Sequence, residues 1–334
     1  MDIFLQQMIN GLTLGSVYAV VALGYTMVYG IVQLINFAHG EVVMIGAMVA
    51  FSVINAIAGA NTGLPPLAIV VAGVLVAVPA CMAVGYTLER VAYRPLRTAP
   101  RLAPLITAIG LSIILQHLAM IIWSRNPIPF PQIITVVPYH VTGSASGATI
   151  TNVQIAIIVG SFVMMALLLL LVYKTKLGIA MRATAQNQQV AGLMGIDINR
   201  VISLTFVIGA ALGAVAGVMV GSYYGIAHYQ MGFILGLKAF SAAVLGGIGN
   251  LAGAMLGGLL LGIIEALGAG YVGDLTNLCN LAGWSDALAR RCEADSNLTL
   301  FGSNYQDVFA FLVLIAVLVF RPSGLLGERV SDRA

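Results

Sequence analysis

Two long stretches without any Asp, Glu, Lys or Arg dominate the N-terminal third of this chain. They cover residues 3–40 and 42–88 and are separated only by Glu41. Each stretch is far longer than the roughly 20 apolar residues that span a bilayer, so each must contain turns between helices. Continuous apolar runs favour helices over a β-barrel, in which polar and apolar residues alternate. The pattern predicts an all-α, polytopic integral membrane bundle.

The overall composition supports the same fold class. The chain has 334 residues, of which 60% are hydrophobic and only 8% are charged, against about 25% charged residues in a soluble domain. Its first residues, MDIFLQQMINGL, lack the basic segment of a signal peptide, so no cleaved leader is expected. The apolar blocks predict one membrane domain over residues 1–334 with eight to ten transmembrane segments, some of them discontinuous.

The basic residues predict how the bundle is oriented. Eleven of the 15 Lys and Arg residues lie in segment 90–101, in segment 174–200 and in the tail after residue 320. Because basic loops are retained on the cytoplasmic side, all three segments, including the C-terminus, are predicted to be cytoplasmic. The N-terminus lies outside if the first apolar block, residues 11–30, crosses once. It lies inside if that block is broken or re-entrant.

Segment 174–200 is the longest polar interruption without proline. It predicts one short helix that starts after Gly178 and ends before Gly195, because alanines supply helix-forming residues between these glycines. A folded helix at the cytoplasmic face would be a docking element for another protein. The alternative is an ordinary basic loop.

Polar residues are rare in the apolar blocks, and the position of each one in the membrane has to be explained. A charged side chain at the membrane centre costs about 2.5–3.5 kcal/mol, so Glu41 must lie near an interface, pair with another group or line a wet cavity. The Gly40-Glu41 sequence fits either a discontinuous helix or a plain turn with Glu41 in the first turn of the next helix. Lys238 could pair with Glu41 or with Glu265. The candidate residues for a translocation pathway are Asn36, Phe37, His39, Glu41, Lys238 and Glu265.

Glycines recur at every fourth position from Gly209 to Gly225. Small residues at this spacing allow helix backbones to approach closely in lipid. Each step of four residues drifts by about 40° around a helix. The glycines therefore predict a helix that crosses more than one neighbour.

A polar insert at residues 274–304 contains Cys279 and Cys292. If the insert lies outside, these cysteines are in an oxidising compartment. The sequence does not decide whether they form a disulfide or stay as two free thiols.

Several kinds of chemistry have no motif in this chain. There is no G-x-x-x-x-G-K-[ST] sequence for nucleotide phosphates, no G-x-S-x-G, no H-E-x-x-H, and only four scattered histidines. An enzyme, a metal site and a nucleic-acid partner are not expected. Three classes of protein remain compatible with the sequence. They are a transporter subunit powered by another protein, an ion-coupled secondary transporter acting alone, and a structural scaffold.

Three stretches resemble a known family. GLTLGSVYAVVALGYTMVYGIVQLINFAHGEVVMIGA, ERVAYRPLR and GLKAFSAAVLGGIGN are similar to the LivH-type permease of the bacterial branched-chain amino acid ABC importer, and the resemblance covers nearly the whole chain. It implies a permease in the bacterial inner membrane that moves leucine, isoleucine or valine into the cytoplasm by alternating access. Related permeases carry urea, amides or other amino acids, so the substrate stays open.

The resemblance also implies partners. They are a second permease of the LivM type, two ATPase subunits of the LivG and LivF types that carry ATP and Mg, and a periplasmic amino-acid-binding protein, with no cofactor on this chain. The residues that the resemblance assigns to ATPase coupling are Arg182, Ala183, Asn187, Ala191 and Gly195. The insert at 274–304 departs from the family, in which this connection is short, and would either contact the binding protein or decorate the surface.

Overall fold

The computed structural model describes residues 2–34, 36–60, 63–97, 99–100, 102–141, 147–272 and 306–327. Within these ranges the chain is a helical bundle with two small antiparallel β-ribbons, β1 with β4 and β2 with β3. The helices are α1 Asp2–Val32, α2 His39–Gly59, α3 Pro66–Leu88, α4 Leu102–Ile122, α5 Asn152–Lys174, α6 Lys176–Gln186, α7 Gln188–Leu193, α8 Ile198–Tyr224, α9 Met231–Gly246, α10 Leu251–Leu267 and α11 Gln306–Phe320. The strands are β1 Ile128–Pro129, β2 Pro138–His140, β3 Thr149–Thr151 and β4 Ile226–Ala227.

Seven of these helices, α1 to α5, α8 and α10, are long and apolar enough to cross a membrane, and α9 and α11 are shorter apolar helices. The nine apolar helices of the described residues agree with the predicted eight to ten segments. The structure therefore confirms the all-α membrane fold. The sequence did not predict the two β-ribbons, whose strands have only two or three residues each.

Helix α1 crosses the whole bundle once. At its start, the Gln6 side chain accepts a hydrogen bond of 2.8 Å from the Thr149 backbone in the β2–β3 ribbon. At its end, the Ile31 carbonyl accepts a bond of 2.9 Å from Gln188 in α7. The end of the bundle that carries α6, α7 and the arginines after α3 is called here the basic end. The N-terminus of α1 lies at the opposite end, as expected for an unbroken first block.

Helix α2 begins inside the bundle rather than at its edge. Its first turn contains Glu41, which contacts Ser112 and Gln116, and these lie in the middle of the 21-residue helix α4. Ser112 is about 15 Å from the start of α4 at 1.5 Å per residue. The sequence offered a discontinuous helix at Gly40-Glu41 or a plain turn with Glu41 in the first turn of the next helix. The structure has the second arrangement, since α1 ends at Val32 and Glu41 lies in the first turn of α2, but the helix starts within the bundle and not at its edge. Gly40 provides close packing there, since a Cβ would lie 2.3 Å from the Gly232 carbonyl of α9.

The glycines of α8 contact several neighbours, as predicted. A Cβ at Gly217 would lie 2.1 Å from the Val43 carbonyl of α2, and one at Gly221 would meet the Phe130 ring at 2.7 Å. Gly209 faces Val28 and the Gly24 carbonyl of α1. Gly225 ends the helix with a φ of +67°, a conformation that glycine adopts without strain.

After Tyr229 the chain forms a short helix, a glycine-rich break and a further apolar helix. Helix α9 ends at Gly246, Gly247 and Gly249 take φ values of +108° and +95°, and α10 begins at Leu251. The segment after α11 packs against this break. Its Leu325 amide donates a hydrogen bond of 2.9 Å to the Leu245 carbonyl at the end of α9. The basic end of α9 is therefore joined to the C-terminal segment.

Candidate functional site

The predicted coupling segment, residues 174–200, contains two short helices, α6 and α7, instead of the single predicted one. Helix α6 begins at Lys176, two residues before Gly178, because the Thr175 hydroxyl caps it by accepting from the Gly178 amide at 3.1 Å. It ends at Asn187, whose side chain accepts from the Val190 amide at 3.1 Å and starts α7. The prediction of one helix was wrong because a residue that caps a new helix interrupts the alanine-rich run.

The five coupling candidates occupy different positions on this segment. Arg182 is exposed, with its guanidinium 5.2 Å from the centre of the Tyr173 ring. Ala183 is half-buried, and Ala191 is buried. Asn187 forms the cap between the helices, and the exposed Gly195 ends the segment with a φ of +84°.

The segment also carries an exposed apolar surface that the sequence analysis did not single out. Leu193 is 87% exposed, Met194 is 79% exposed and Val190 is 52% exposed. All three lie in or directly after α7. A contiguous exposed apolar patch rimmed by polar residues is typical of a protein–protein interaction site.

Glu41 is fully buried between α2 and α4. One carboxylate oxygen, Oε1, accepts hydrogen bonds of 2.8 Å from the Ser112 hydroxyl and from the Gln116 amide. Its other oxygen, Oε2, lies beside Gly232 at the start of α9 and has no hydrogen-bond partner among the described residues. Ser112 and Gln116 are four residues apart on an otherwise apolar helix, a polar pair on one face that the sequence could have revealed.

Lys238 is paired with Glu265 and not with Glu41. Its ammonium is 2.7 Å from Glu265 Oε1 and 2.6 Å from Asp307 Oδ1. The Tyr18 hydroxyl donates to Glu265 Oε2 at 3.0 Å and accepts from Lys238 at 3.3 Å. The cluster therefore joins four helices, α1, α9, α10 and α11. Sequence reasoning named Lys238 and Glu265 but missed Tyr18 and Asp307.

The remaining candidates form an aromatic cluster where the loop after α1 meets α9. The Phe37 ring centre is 5.8 Å from that of Phe240, and the Tyr25 ring packs edge-on against His39 at 4.8 Å. Asn36 is buried and accepts a 2.6 Å hydrogen bond from the Tyr93 hydroxyl. The six pathway candidates thus divide into the buried Glu41 cluster, the Lys238 cluster and this aromatic layer.

Two cavities open below the aromatic layer at the basic end. One, of about 160 Å³, lies between the end of α1 and α6 and reaches Arg182. The other, of about 990 Å³, lies between α1, α9 and the segment after α11. Tyr29, Gln33 and Ile248 line both of them. A small third cavity is lined by Tyr25 and Phe240 of the aromatic layer, and it shares Tyr29 and Ile248 with both of them.

Within the described ranges, no three His, Cys, Asp or Glu side chains lie close enough together to hold a metal ion. Cys279, Cys292 and the insert at 274–304 lie outside the described residues.

The fold and these clusters define a class of protein, a multi-pass helical membrane permease with buried polar groups between its helices. The family model for the permease component of the branched-chain amino acid transport system matches residues 7–318. The chain therefore belongs to that family.

Relatives from several organisms agree with this assignment. The chain is 45% identical to the high-affinity branched-chain amino acid transport system permease protein BraD of Pseudomonas aeruginosa, over 97% of this chain and 96% of the relative. It is 44% identical to the corresponding protein LivH of Escherichia coli strain K12, again over 97% and 96%. A probable LivH permease of Methanocaldococcus jannaschii is 26% identical over 92% of this chain and 87% of the relative. No solved structure matches the chain.

Proposed function

We propose that this chain is the permease subunit of an ATP-driven importer that carries leucine, isoleucine or valine from the periplasm to the cytoplasm. The observation that carries the proposal is the 45% identity over nearly the full length of a high-affinity branched-chain amino acid permease. Because the match spans all helices and not one segment, it applies to the whole membrane domain. In this proposal the basic end faces the cytoplasm, as the positive-inside rule requires, and the C-terminus lies there too.

The proposed engine is a pair of ATPase subunits, of the LivG and LivF types, which bind ATP and Mg. The segment of α6 and α7 is the proposed contact with one of them. Its exposed Leu193 and Met194 would fill an apolar cleft on the ATPase. Arg182, Ala183, Asn187, Ala191 and Gly195 would hold the two helices in the shape that fits this cleft. The buried Ala191 supports this role, since a larger side chain there would push α7 away from the bundle.

The proposed route for the substrate follows the side of α1 that faces α9. Two observations support it. The cavities at the basic end share Tyr29, Gln33 and Ile248, and the neighbouring aromatic layer offers the apolar surface that an aliphatic side chain needs. In alternating access, movement of α6 would be passed directly to α1, because Met181 and Arg182 line the smaller cavity together with Thr26 and Met27.

A second permease of the LivM type and a periplasmic amino-acid-binding protein complete the proposed assembly. The binding protein would meet the end of the bundle opposite the basic end, where the β2–β3 ribbon contacts the start of α1. The insert at 274–304 would either make part of that contact or only decorate the surface.

Reconstitution tests the proposal. Vesicles containing this chain with both ATPases, the second permease and the binding protein should accumulate leucine, isoleucine and valine only when ATP is present. Vesicles containing this chain alone should accumulate none of them. Uptake by the single chain under a proton or sodium gradient would instead identify a secondary transporter, and ATP-driven uptake of urea or amides with no leucine uptake would refute the substrate assignment.

The coupling contact has its own test. Leu193→Asp places a charge on the proposed contact, so leucine uptake by the complete assembly should fall at least tenfold. Leu193→Met keeps the apolar surface and should retain most of the uptake. Equal uptake by both variants would show that α7 is not the contact.

A further inference from the structure

A polar cavity of about 330 Å³ lies between the end of α3 and the start of α8, at the basic end. The proposed transport function does not use it. It is separate from the coupling segment's apolar surface and from the cavities below the aromatic layer. The residues of its lining that matter here are Tyr86, Arg90, Arg94, Asp197, Arg200 and Leu204.

The cavity carries a net positive charge because three arginines face one aspartate. Among the described residues, none of these arginines forms an ion pair. Asp197 is occupied as the cap of α8, where its carboxylate accepts from the Arg200 backbone amide at 3.1 Å. The nearest other acid, Glu89, is fully buried and is bound by Arg97 and by the Ser203 hydroxyl. An excess of about two positive charges is therefore left for a ligand.

The charge of Arg94 also acts on Arg97, which lies outside the lining of the cavity. Burial lowers the pKa of the Arg97 guanidinium from its ordinary value, and the charge of Arg94 adds to that shift, although Glu89 opposes it. An arginine remains protonated in a protein nonetheless. An anion in the cavity would offset the repulsion between these neighbouring guanidinium groups.

The position of the cavity defines what kind of anion fits. Its upper wall contains Tyr86, in the last turn of α3, and Leu204 and Val207 of α8, all within helices that are apolar enough to span the membrane. Its lower wall contains Arg94, in the short helical segment that follows α3, and Arg200, in the first turn of α8, so both lie at the basic ends of these helices. Polar and apolar groups are thus arranged as they are in a phospholipid, with the phosphate at the interface and the acyl chains above it.

Neighbouring side chains keep the cavity accessible from the lipid side. Val91 is 70% exposed and Tyr86 is 40% exposed, and the Arg90 guanidinium lies over the Tyr86 ring at 5.8 Å. An aromatic ring with a basic side chain beside it is the usual anchor at a membrane–water interface. Basic pockets between transmembrane helices on the cytoplasmic side bind anionic headgroups in the same way.

We propose that this cavity binds the phosphate of an anionic phospholipid from the leaflet at the basic end. Arg94 and Arg200 hold the phosphate, Arg90 and Tyr86 hold the glycerol region, and Leu204 contacts the acyl chain. The lipid would add to the contacts that already join the basic ends of α3 and α8, which include Arg97 with Asn199, Glu89 with Ser203 and the Tyr93 ring with the Phe206 ring.

Native mass spectrometry of the complete assembly tests this proposal. The assembly is purified in detergent, mixed with phosphatidylglycerol or with phosphatidylcholine, and its retained lipids are counted. The double variant Arg94→Gln, Arg200→Gln should retain phosphatidylglycerol about tenfold less well than the unchanged assembly, since each basic residue near the surface contributes to the attraction. Retention of phosphatidylcholine should not change.

The matched control removes the same charge elsewhere. Lys174→Gln with Arg125→Gln changes two exposed basic residues outside the cavity and should leave phosphatidylglycerol retention unaltered. Equal losses in both double variants would refute a defined site. Full displacement of the lipid by millimolar inorganic phosphate would show a small-anion site instead. Retention by the isolated chain but not by the assembly would show that a protein partner covers the cavity, which also overturns the proposal.

Discussion

The ammonium of Lys238 lies 2.7 Å from the carboxylate of Glu265, in the interior of the helical bundle. The two residues belong to adjacent helices, α9 and α10. Their charges are buried with the Tyr18 hydroxyl and face Asp307 of α11, whose side chain is 37% exposed. A buried pair of this kind is weak evidence for added stability, but breaking it by removing one partner is strongly destabilising.

Lys238→Met should therefore lower the free energy of unfolding by about 3–5 kcal/mol, because Glu265 is left buried without a counter-charge. The double variant Lys238→Met, Glu265→Gln should be less destabilised than the sum of the single variants. Thermal unfolding of the purified assembly in detergent measures both effects. Additive effects would contradict a direct interaction between the two side chains.

Gly217→Ala should destabilise the packing of α8 on α2. The new Cβ would lie 2.1 Å from the Val43 carbonyl and 2.8 Å from the Ala47 amide, and overpacking of this kind costs about 1–3 kcal/mol. The matched control is Gly110→Ala in α4, where an added methyl group would have no atom within 4 Å. We expect a lower unfolding temperature for the first variant only, and a similar loss in both would rule out the close α2–α8 contact.

Gln116→Leu should destabilise the chain by about 1–3 kcal/mol, because buried Glu41 loses one of its two donors. His117→Leu is the control on the same helix. The exposed His117 ring makes a hydrogen bond of 2.9 Å with the Ile113 carbonyl of its own helix, so its loss should change the unfolding free energy by less than about 0.5 kcal/mol. If the two variants unfold alike, the Glu41 cluster does not hold α2 against α4.

Asn187→Ala should weaken the boundary between α6 and α7, since the Val190 amide loses its capping oxygen. Such a loss costs about 1 kcal/mol locally. Leucine uptake by the complete assembly should fall while its unfolding temperature stays within a few degrees. Asn187→Asp keeps an accepting oxygen and should retain uptake, and a variant pair with identical uptake would show that the cap has no part in coupling.

Local sequence properties were sufficient for the membrane fold and for the glycine contacts. Transfer of apolar residues into lipid depends on each segment's own composition, so runs such as 3–40 could be identified without knowing their neighbours. The resemblance to LivH-type permeases likewise rested on contiguous residues, and the full-length relatives confirm it.

Only the tertiary structure decided which partner each buried charge has. The sequence left Lys238 free to pair with Glu41 or Glu265, and the answer depends on which face of α9 each helix packs against: Gly236 contacts Gly40 of α2, whereas Lys238 reaches Glu265 of α10. That packing follows from glycine contacts such as Gly40 with Gly232, whose distance along the chain gives no indication of contact. Helix rotation and depth are collective properties of the bundle, so residues far apart in sequence, such as Glu41 and Gln116, become neighbours only once all the helices are in place.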